Sequence, residues 1–344
     1  MKQDEAMRRA AMAYHVQSPA KQASNFLDLA DYLAQNGGVT FDNSLDSIIR
    51  PLVGGDLMMI LGRTGHGKTT VALSIARSIA NRINTGEIGD KNSIVVFASL
   101  EQSAEYVELM LAGSASFDSS ELIRGNVNED MYREWAVLRP NLPLWVVGET
   151  RKNAGKTHSE VYLESIVNAV ESIIFEYNKR PAAIFVDYLQ VARIREHDGM
   201  NRHTQVMEAS AALKRLAVRF DVPVIYGSQA GQRVDDYKNK IPQLNDSMWA
   251  SDASHLSDVV VSIMRPSRYW NPENNPEVEI NETYYANDDT AMIVTVLKQR
   301  FDRGFGQTGV SFIPQTLEMK DMETQDYNLV NSFVGTPAKL FGDE

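Results

Sequence analysis

Gly62-Arg63-Thr64-Gly65-His66-Gly67-Lys68-Thr69 is the stretch that decides the fold of this chain. It follows the pattern G-x-x-x-x-G-K-[ST]. It lies between an apolar run that predicts a strand, Leu57–Leu61, and a stretch that predicts a helix, Lys68–Arg82. That context makes it a phosphate-binding loop. Glycine lets the backbone wrap closely, so that its N–H groups face the phosphates, and the following helix adds its positive end. Lys68 reaches the β- and γ-phosphates, Thr69 offers a hydroxyl to Mg²⁺, and Thr70 closes the binding stretch. His66 occupies a variable position and reads as a spacer rather than an acid or base.

Outward from this loop, strands and helices alternate. Further strands are predicted at Ser93–Leu100, Leu142–Val147, Ala182–Asp187, Val222–Gly227, Val259–Met264 and Ala291–Lys298. Helices are predicted at Ser103–Leu111, Ser159–Lys179 and Thr204–Phe220. Continuous apolar runs suit strands covered on both faces, and strand–helix alternation suits a parallel sheet. The late strands lack long intervening helices, so antiparallel hairpins should end the sheet. The fold class is therefore α/β: a P-loop NTPase with a mostly parallel central sheet flanked by helices. Arg268 to Asn287 reads as a surface hairpin.

Three regions follow: an extension at 1–43, the α/β domain at 44–320 and a polar tail at 321–344. In the extension, Ser24 caps a predicted amphipathic helix with Phe26, Leu29, Ala30 and Leu33 on one face, stopped by Asn36-Gly37-Gly38.

Hydrolysis needs a metal carboxylate and a group that activates water. The apolar run Ala182–Val186 ends in Asp187, the expected Mg²⁺-side acid; its other reading is a helix cap. Tyr188 follows it, so the water-activating acid must come from elsewhere. Glu101 ends the Ser93–Leu100 strand on the same side of a parallel sheet. It also reads as an exposed first-turn acid favoured by a helix dipole.

With no cysteine in 344 residues, disulfides, thiolate metal sites and cysteine nucleophiles are excluded. The net charge of −11 argues against a chain coated in cations to grip nucleic acid, though not against one local basic groove. No apolar run is long enough to span a membrane. The default location is the cytoplasm.

The motifs together resemble the ATPase domain of DnaB-type replicative helicases, a RecA-like fold of helicase superfamily 4. The resemblance rests on Gly55-Asp56-Leu57 before the phosphate loop, and on Ser99-Leu100-Glu101-Gln102-Ser103-Ala104-Glu105. It rests also on Asp187-Tyr188-Leu189-Gln190, and on Leu213-Lys214-Arg215-Leu216-Ala217 followed by Val222-Pro223-Val224-Ile225 and Ser228-Gln229. Lys298-Gln299-Arg300 before Gly306-Gln307-Thr308-Gly309 completes it. It covers about residues 44 to 314. It implies ATP and Mg²⁺, with Glu101 activating water and Gln229 sensing the γ-phosphate. It also implies that Lys298 and Arg300 reach the γ-phosphate of a neighbouring copy. The alternative for those two is a basic strand end facing solvent.

Self-assembly, as a hexamer, follows, with single-stranded DNA and a loader or other protein as further partners. The extension helix would pack on the next subunit or on its own core. Only about forty residues precede the ATPase domain, so the family's helical collar is expected to be absent. The family's D-L-R-E-S-G loop aligns with Asp246-Ser247-Met248-Trp249-Ala250-Ser251, where Met248 and Trp249 replace Arg and Glu. Trp249 would stack on a base, or serve as a core or partner contact. Arg193, Arg195, Arg202, Lys214, Arg215, Arg233 and Lys238 are further candidates for DNA contact, with Tyr237 and His203 undecided. Two functions stand: a ring helicase on single-stranded DNA, or an oligomeric RecA/KaiC-like ATPase that switches or loads protein partners without unwinding.

Overall fold

The computed structural model describes residues 18–113, 119–126, 129–151, 162–194, 199–248, 253–302 and 304–322. Contacts divide the chain into two units, Met1–Gly38 and Val39–Glu344. Arg195 and Trp249 lie outside the described residues.

In the first unit, helix α1 spans Pro19–Asn36. It begins five residues before Ser24, because Ser18 accepts the Lys21 N–H at 3.3 Å and Pro19 starts the helix with its φ already set. Gly37, at φ 63°, ends it. Phe26, Leu27, Leu29 and Tyr32 are exposed along it.

The second unit is built on β1 (Leu57–Gly62), β2 (Ser93–Ser99), β3 (Leu144–Val147), β4 (Arg180–Asp187), β5 (Val224–Gln229) and β6 (Val259–Met264). A hairpin, β7 (Glu277–Ile280) and β8 (Thr283–Ala286), precedes β9 (Ala291–Gln299), β10 (Gln307–Ile313) and β11 (Glu318–Asp321). The main sheet runs β11-β10-β9-β6-β1-β5-β4-β2-β3, parallel from β6 to β3 and antiparallel from β6 to β11.

Helices cover both faces: α2 (Lys68–Thr85), α3 (Ala104–Gly113), α4 (Ser119–Ile123), α5 (Glu129–Leu138), α6 (Leu163–Phe175), α7 (Arg202–Phe220) and the short α8 (Ala253–Leu256). Every residue of β1 is buried. Met58 and Ile60 pack on the α2 side, whereas Leu57, Met59 and Leu61 pack on the side of α6 and α7. This two-sided burial is why these strands read as unbroken apolar runs.

The predicted strands hold with shifted ends. Pro223 and Pro143 lack an N–H for the ladder, so β5 and β3 begin just after them. Polar Ser228 and Gln229 still belong to β5, paired with Leu61 and Gly62. Val39 bridges Leu52, and Phe41 and Leu45 are buried, so this stretch is part of the second unit. The hairpin is not solvated on both sides: Val278, Ile280 and Tyr285 pack with Ile241 and Ile293.

Phe185 is fully buried in β4 and stacks on Phe97 at 6.2 Å. Phe185→Ala should remove about 3–5 kcal/mol of stability. A urea midpoint equal to that of the wild type would contradict this packing.

Candidate nucleotide site and the loop beside it

The register brings the candidate residues to one end of the sheet. Gly62 pairs with Gln229, and Ser99 pairs with Asp187, so the loop after β1, the end of β5, the end of β4 and Glu101 just beyond β2 lie side by side. The phosphate loop turns on Gly65 and Gly67, both left-handed at φ 80° and 89°. A Cβ at Gly67 would stand 3.0 Å from the Thr70 hydroxyl, which itself donates to the Gly67 carbonyl at 2.9 Å. The Lys68 ammonium donates to the carbonyls of Gly62 at 3.1 Å and Arg63 at 3.2 Å. Burial pulls this ammonium down to about 8, against the opposing pull of Asp187 and Glu101.

Asp187 is buried, and neither carboxylate oxygen has a hydrogen-bond partner. Burial pushes its carboxyl up to about 6. The nearby Thr69 hydroxyl and Lys68 offset this only in part, and Glu101 adds to it. A buried, unpartnered carboxylate beside a threonine hydroxyl is a donor set suited to a hard cation. Among the described residues no cluster of three or more acidic or histidine side chains forms a closed metal cage. Mg²⁺ suits such a half-built site, because it binds through one or two carboxylates with phosphate oxygens and water. Glu101 is exposed, within electrostatic reach of Asp187, Lys68 and Tyr188.

Gln229 donates from its side chain to the Thr64 hydroxyl at 2.8 Å. Buried Gln190 holds it in place, accepting the Gln229 N–H at 3.0 Å and donating to the Ser228 hydroxyl at 2.9 Å. Ser228 in turn bonds Ser247 at 2.8 Å, and the Met248 N–H donates to the Gln229 carbonyl at 2.8 Å. Ser247 and Met248 of the altered stretch are thus tied to the end of β5 that carries Gln229. Sequence reasoning quoted Gln190 but gave it no task. A lone amide three residues past the strand end at Asp187 was the available signal.

Two residues of the loop are engaged with other parts of the chain. Arg63 forms an ion pair with Asp235 at 2.7 Å. His66 is buried; its Nδ1 accepts the Arg265 N–H at 3.0 Å, and its ring lies 5.3 Å from that of Tyr269. Burial, with Lys68 and three arginines nearby, pulls its imidazole down to about 4. A group with a depressed folded pKa binds protons better when unfolded. Its contribution to stability is full above about pH 6.5 and lost as pH falls towards about 4. Urea unfolding at pH 7 and 4.5 should therefore differ by about 2 kcal/mol more in the wild type than in His66→Gln, which keeps an acceptor for Arg265. Equal differences would contradict a neutral His66.

Lys298 and Arg300 are elsewhere. Val259 pairs with Gln299 and Met264 with Ile293, so both cations lie toward the Leu57 end of the sheet, Arg300 roughly 16 Å and Lys298 roughly 10 Å along the strands from Gly62. Lys298 donates to the carbonyls of Ser254 and His255 at 2.9 and 2.8 Å. Arg300 donates to Asp258 at 2.9 Å and to the His255 carbonyl at 3.2 Å. Buried Asp258 also takes Lys214 at 2.6 Å, so Lys214 is committed to an internal ion pair rather than free for DNA. Arg233 pairs with buried Asp246 but its side chain stays 58% exposed. Arg202 donates to Gln205, and Tyr237 donates to Asp246. Arg215, His203 and Lys238 are exposed.

A phosphate loop after the central strand, a carboxylate at the end of β4 and a glutamine at the end of β5 are the arrangement of a RecA-like P-loop NTPase. Within that class, the family model for the DnaB-like helicase C terminal domain matches residues 38–321, and the chain belongs to this family. A probable replicative DNA helicase of Trieres chinensis is 26% identical over 269 residues, covering 76% of this chain and 54% of that protein. The replicative DNA helicase DnaB of Rickettsia bellii is 29% identical over 232 residues, covering 65% and 44%. The chain spans about half the length of the curated relatives it matches. Among solved structures, one of an isolated ATPase domain matches with TM-score 0.68 at 18% identity, covering 89% of this chain and all of that one. A DnaB-like replicative helicase, solved in work on its interactions with primase, matches with TM-score 0.67 at 18% identity, covering 93% and 71%.

Proposed function

We propose that this chain is the motor of an ATP-hydrolysing ring, a hexamer of identical copies, that moves along single-stranded DNA in the cytoplasm. The observation that carries it is the division of the catalytic set. Lys68, Thr69, Asp187, Glu101 and Gln229 converge at one end of the sheet, while Lys298 and Arg300 stand at the other. The two cations therefore act on the nucleotide of an adjoining copy.

Chemically, the loop from Gly62 to Thr70 cradles the phosphates, with Lys68 drawn to the β- and γ-oxygens. Thr69 and Asp187 would hold Mg²⁺, which when bound neutralises charge on those oxygens. Glu101 accepts a proton from water as its oxygen bonds the γ-phosphorus and the bond to the β–γ bridging oxygen breaks. Gln229 orients the γ-phosphate, and Arg300 of the adjoining copy stabilises the charge spread over it.

The second reading, a partner-switching ATPase that does not unwind DNA, is favoured by one observation. Lys214 and Arg233, two candidate DNA cations, are bound to buried carboxylates of their own chain. One experiment separates the readings: the ATPase rate with and without single-stranded oligo(dT). Stimulation is expected from the ring motor. No stimulation and no oligo(dT) binding at low salt select the second reading, in which a loader or another protein is the partner.

A further inference from the structure

Arg63 is a phosphate-loop residue whose side chain serves the segment after β5. Its Nε donates to Asp235 Oδ1 at 3.0 Å, its Nη2 to Oδ2 at 2.7 Å, and its Nη1 to the Ala230 carbonyl at 3.1 Å. One guanidinium thus grips both ends of the turn that carries Gln232–Asp236. Tyr269 donates its hydroxyl to Asp235 Oδ1 at 2.9 Å, and Lys240 donates to the Asp235 carbonyl. The Arg63 side chain is 17% exposed and that of Asp235 41%, so the pair is shielded on the arginine side only, and its hold comes from the two-bond geometry.

The segment so gripped is stiff. Ala230 bridges Ser247, the Gly231 N–H donates to the Asp246 carbonyl at 2.7 Å, and Tyr237 donates to Asp246 at 2.9 Å. Arg233 pairs with the same carboxylate, and Gln243 and Asp246 close a reciprocal capping box. The turn and the 244–248 stretch are therefore one cross-braced body, with Lys238 exposed on it. A forked, two-bond ion pair tolerates little displacement. A shift of the Arg63 backbone must carry this body with it or break the pair. That backbone is where a shift would start. Lys68 holds the Gly62 and Arg63 carbonyls, and an ammonium has three donors to divide between those carbonyls and phosphate oxygens.

We propose that Arg63 and Asp235 form a latch that makes nucleotide binding and single-stranded DNA binding depend on one another. Asp235 is a positioning residue, acting through Arg63 and separate from the contact of Gln229 with Thr64. The proposal rests on the DNA-motor reading above.

The test uses the full chain, Mg²⁺ with the non-hydrolysable analogue AMP-PNP, and a fluorescein-labelled dT20. The ratio of dT20 dissociation constants without and with AMP-PNP measures the coupling, which linkage makes equal to the ratio of AMP-PNP dissociation constants without and with dT20. In the wild type it should be roughly tenfold. Asp235→Asn keeps the shape and removes the charge. It should bring the ratio below about twofold, with each ligand's affinity alone within about threefold of wild type. Asp235→Glu should retain most of the coupling. An unchanged ratio in Asp235→Asn overturns the latch and leaves the motor reading intact. Equal weakening of each ligand alone also overturns it, since the pair then only supports the fold. A wild type that hydrolyses ATP but does not bind dT20 overturns the motor reading and the latch together.

Discussion

Arg300→Ala is expected to lower ATP turnover by roughly 10³–10⁵-fold while nucleotide affinity stays within about threefold, because a cation supplied from a neighbour acts mainly on the transition state. Arg300 lies too far along the sheet to touch its own phosphate loop, so the variant leaves that cradle untouched. The fold should survive. Buried Asp258 loses one partner but keeps Lys214 at 2.6 Å and the Leu57 N–H at 2.8 Å. The Arg300 side chain is 47% exposed, so donors remain for an adjoining copy. Arg300→Lys should recover little, since an ammonium cannot reproduce the forked geometry. Turnover that is normal in Arg300→Ala, measured at a dilution where copies separate, would sink the assignment. So would a loss confined to nucleotide affinity.

The second large effect is expected from Glu101→Gln. Removing a general base that takes the proton from water should cost roughly 10²–10⁴-fold in turnover. The amide has the shape of the carboxylate, and Glu101 is exposed, so the unfolding midpoint should not move. Relief of repulsion with Asp187 works in the direction of tighter Mg²⁺-nucleotide binding. The expected signature is thus bound ATP that is not turned over. A pre-steady-state burst equal to that of the wild type would mean that another group activates water, and Glu101 would be only an exposed acid ahead of α3.

The convergence of the candidate site residues at one end of the sheet was legible in the sequence because its signals are local. The phosphate loop is one unbroken octapeptide. Asp187 ends an apolar run, and Glu101 follows another, and parallel strands bring such ends together without further information. The position of Lys298 and Arg300 needed the antiparallel return of β9, which the shortage of late helices suggested. Long-range side-chain pairing was not legible. Arg63 and Asp235 are 172 positions apart, and nothing in either neighbourhood marks them as partners. The same holds for Lys214 and Asp258, which turned a candidate DNA cation into part of the sheet's internal support. Strands β10 and β11 were missed because their glycine and polar residues blur the apolar run. The α1 boundary was misplaced because Ser24 and Ser18 both have the chemistry of a cap, and only Ser18 is followed by proline.

The most direct test of a site completed between copies is to mix two inactive variants. Lys68→Ala lacks the phosphate grip but keeps Arg300, whereas Arg300→Ala keeps the grip and lacks the finger. In an equal, freely exchanging mixture, about one interface in four joins an intact site to an intact finger, so ATP turnover should return to roughly a quarter of wild type. A mixture no more active than either variant alone, with assembly of both confirmed by mass, would contradict catalysis shared between copies.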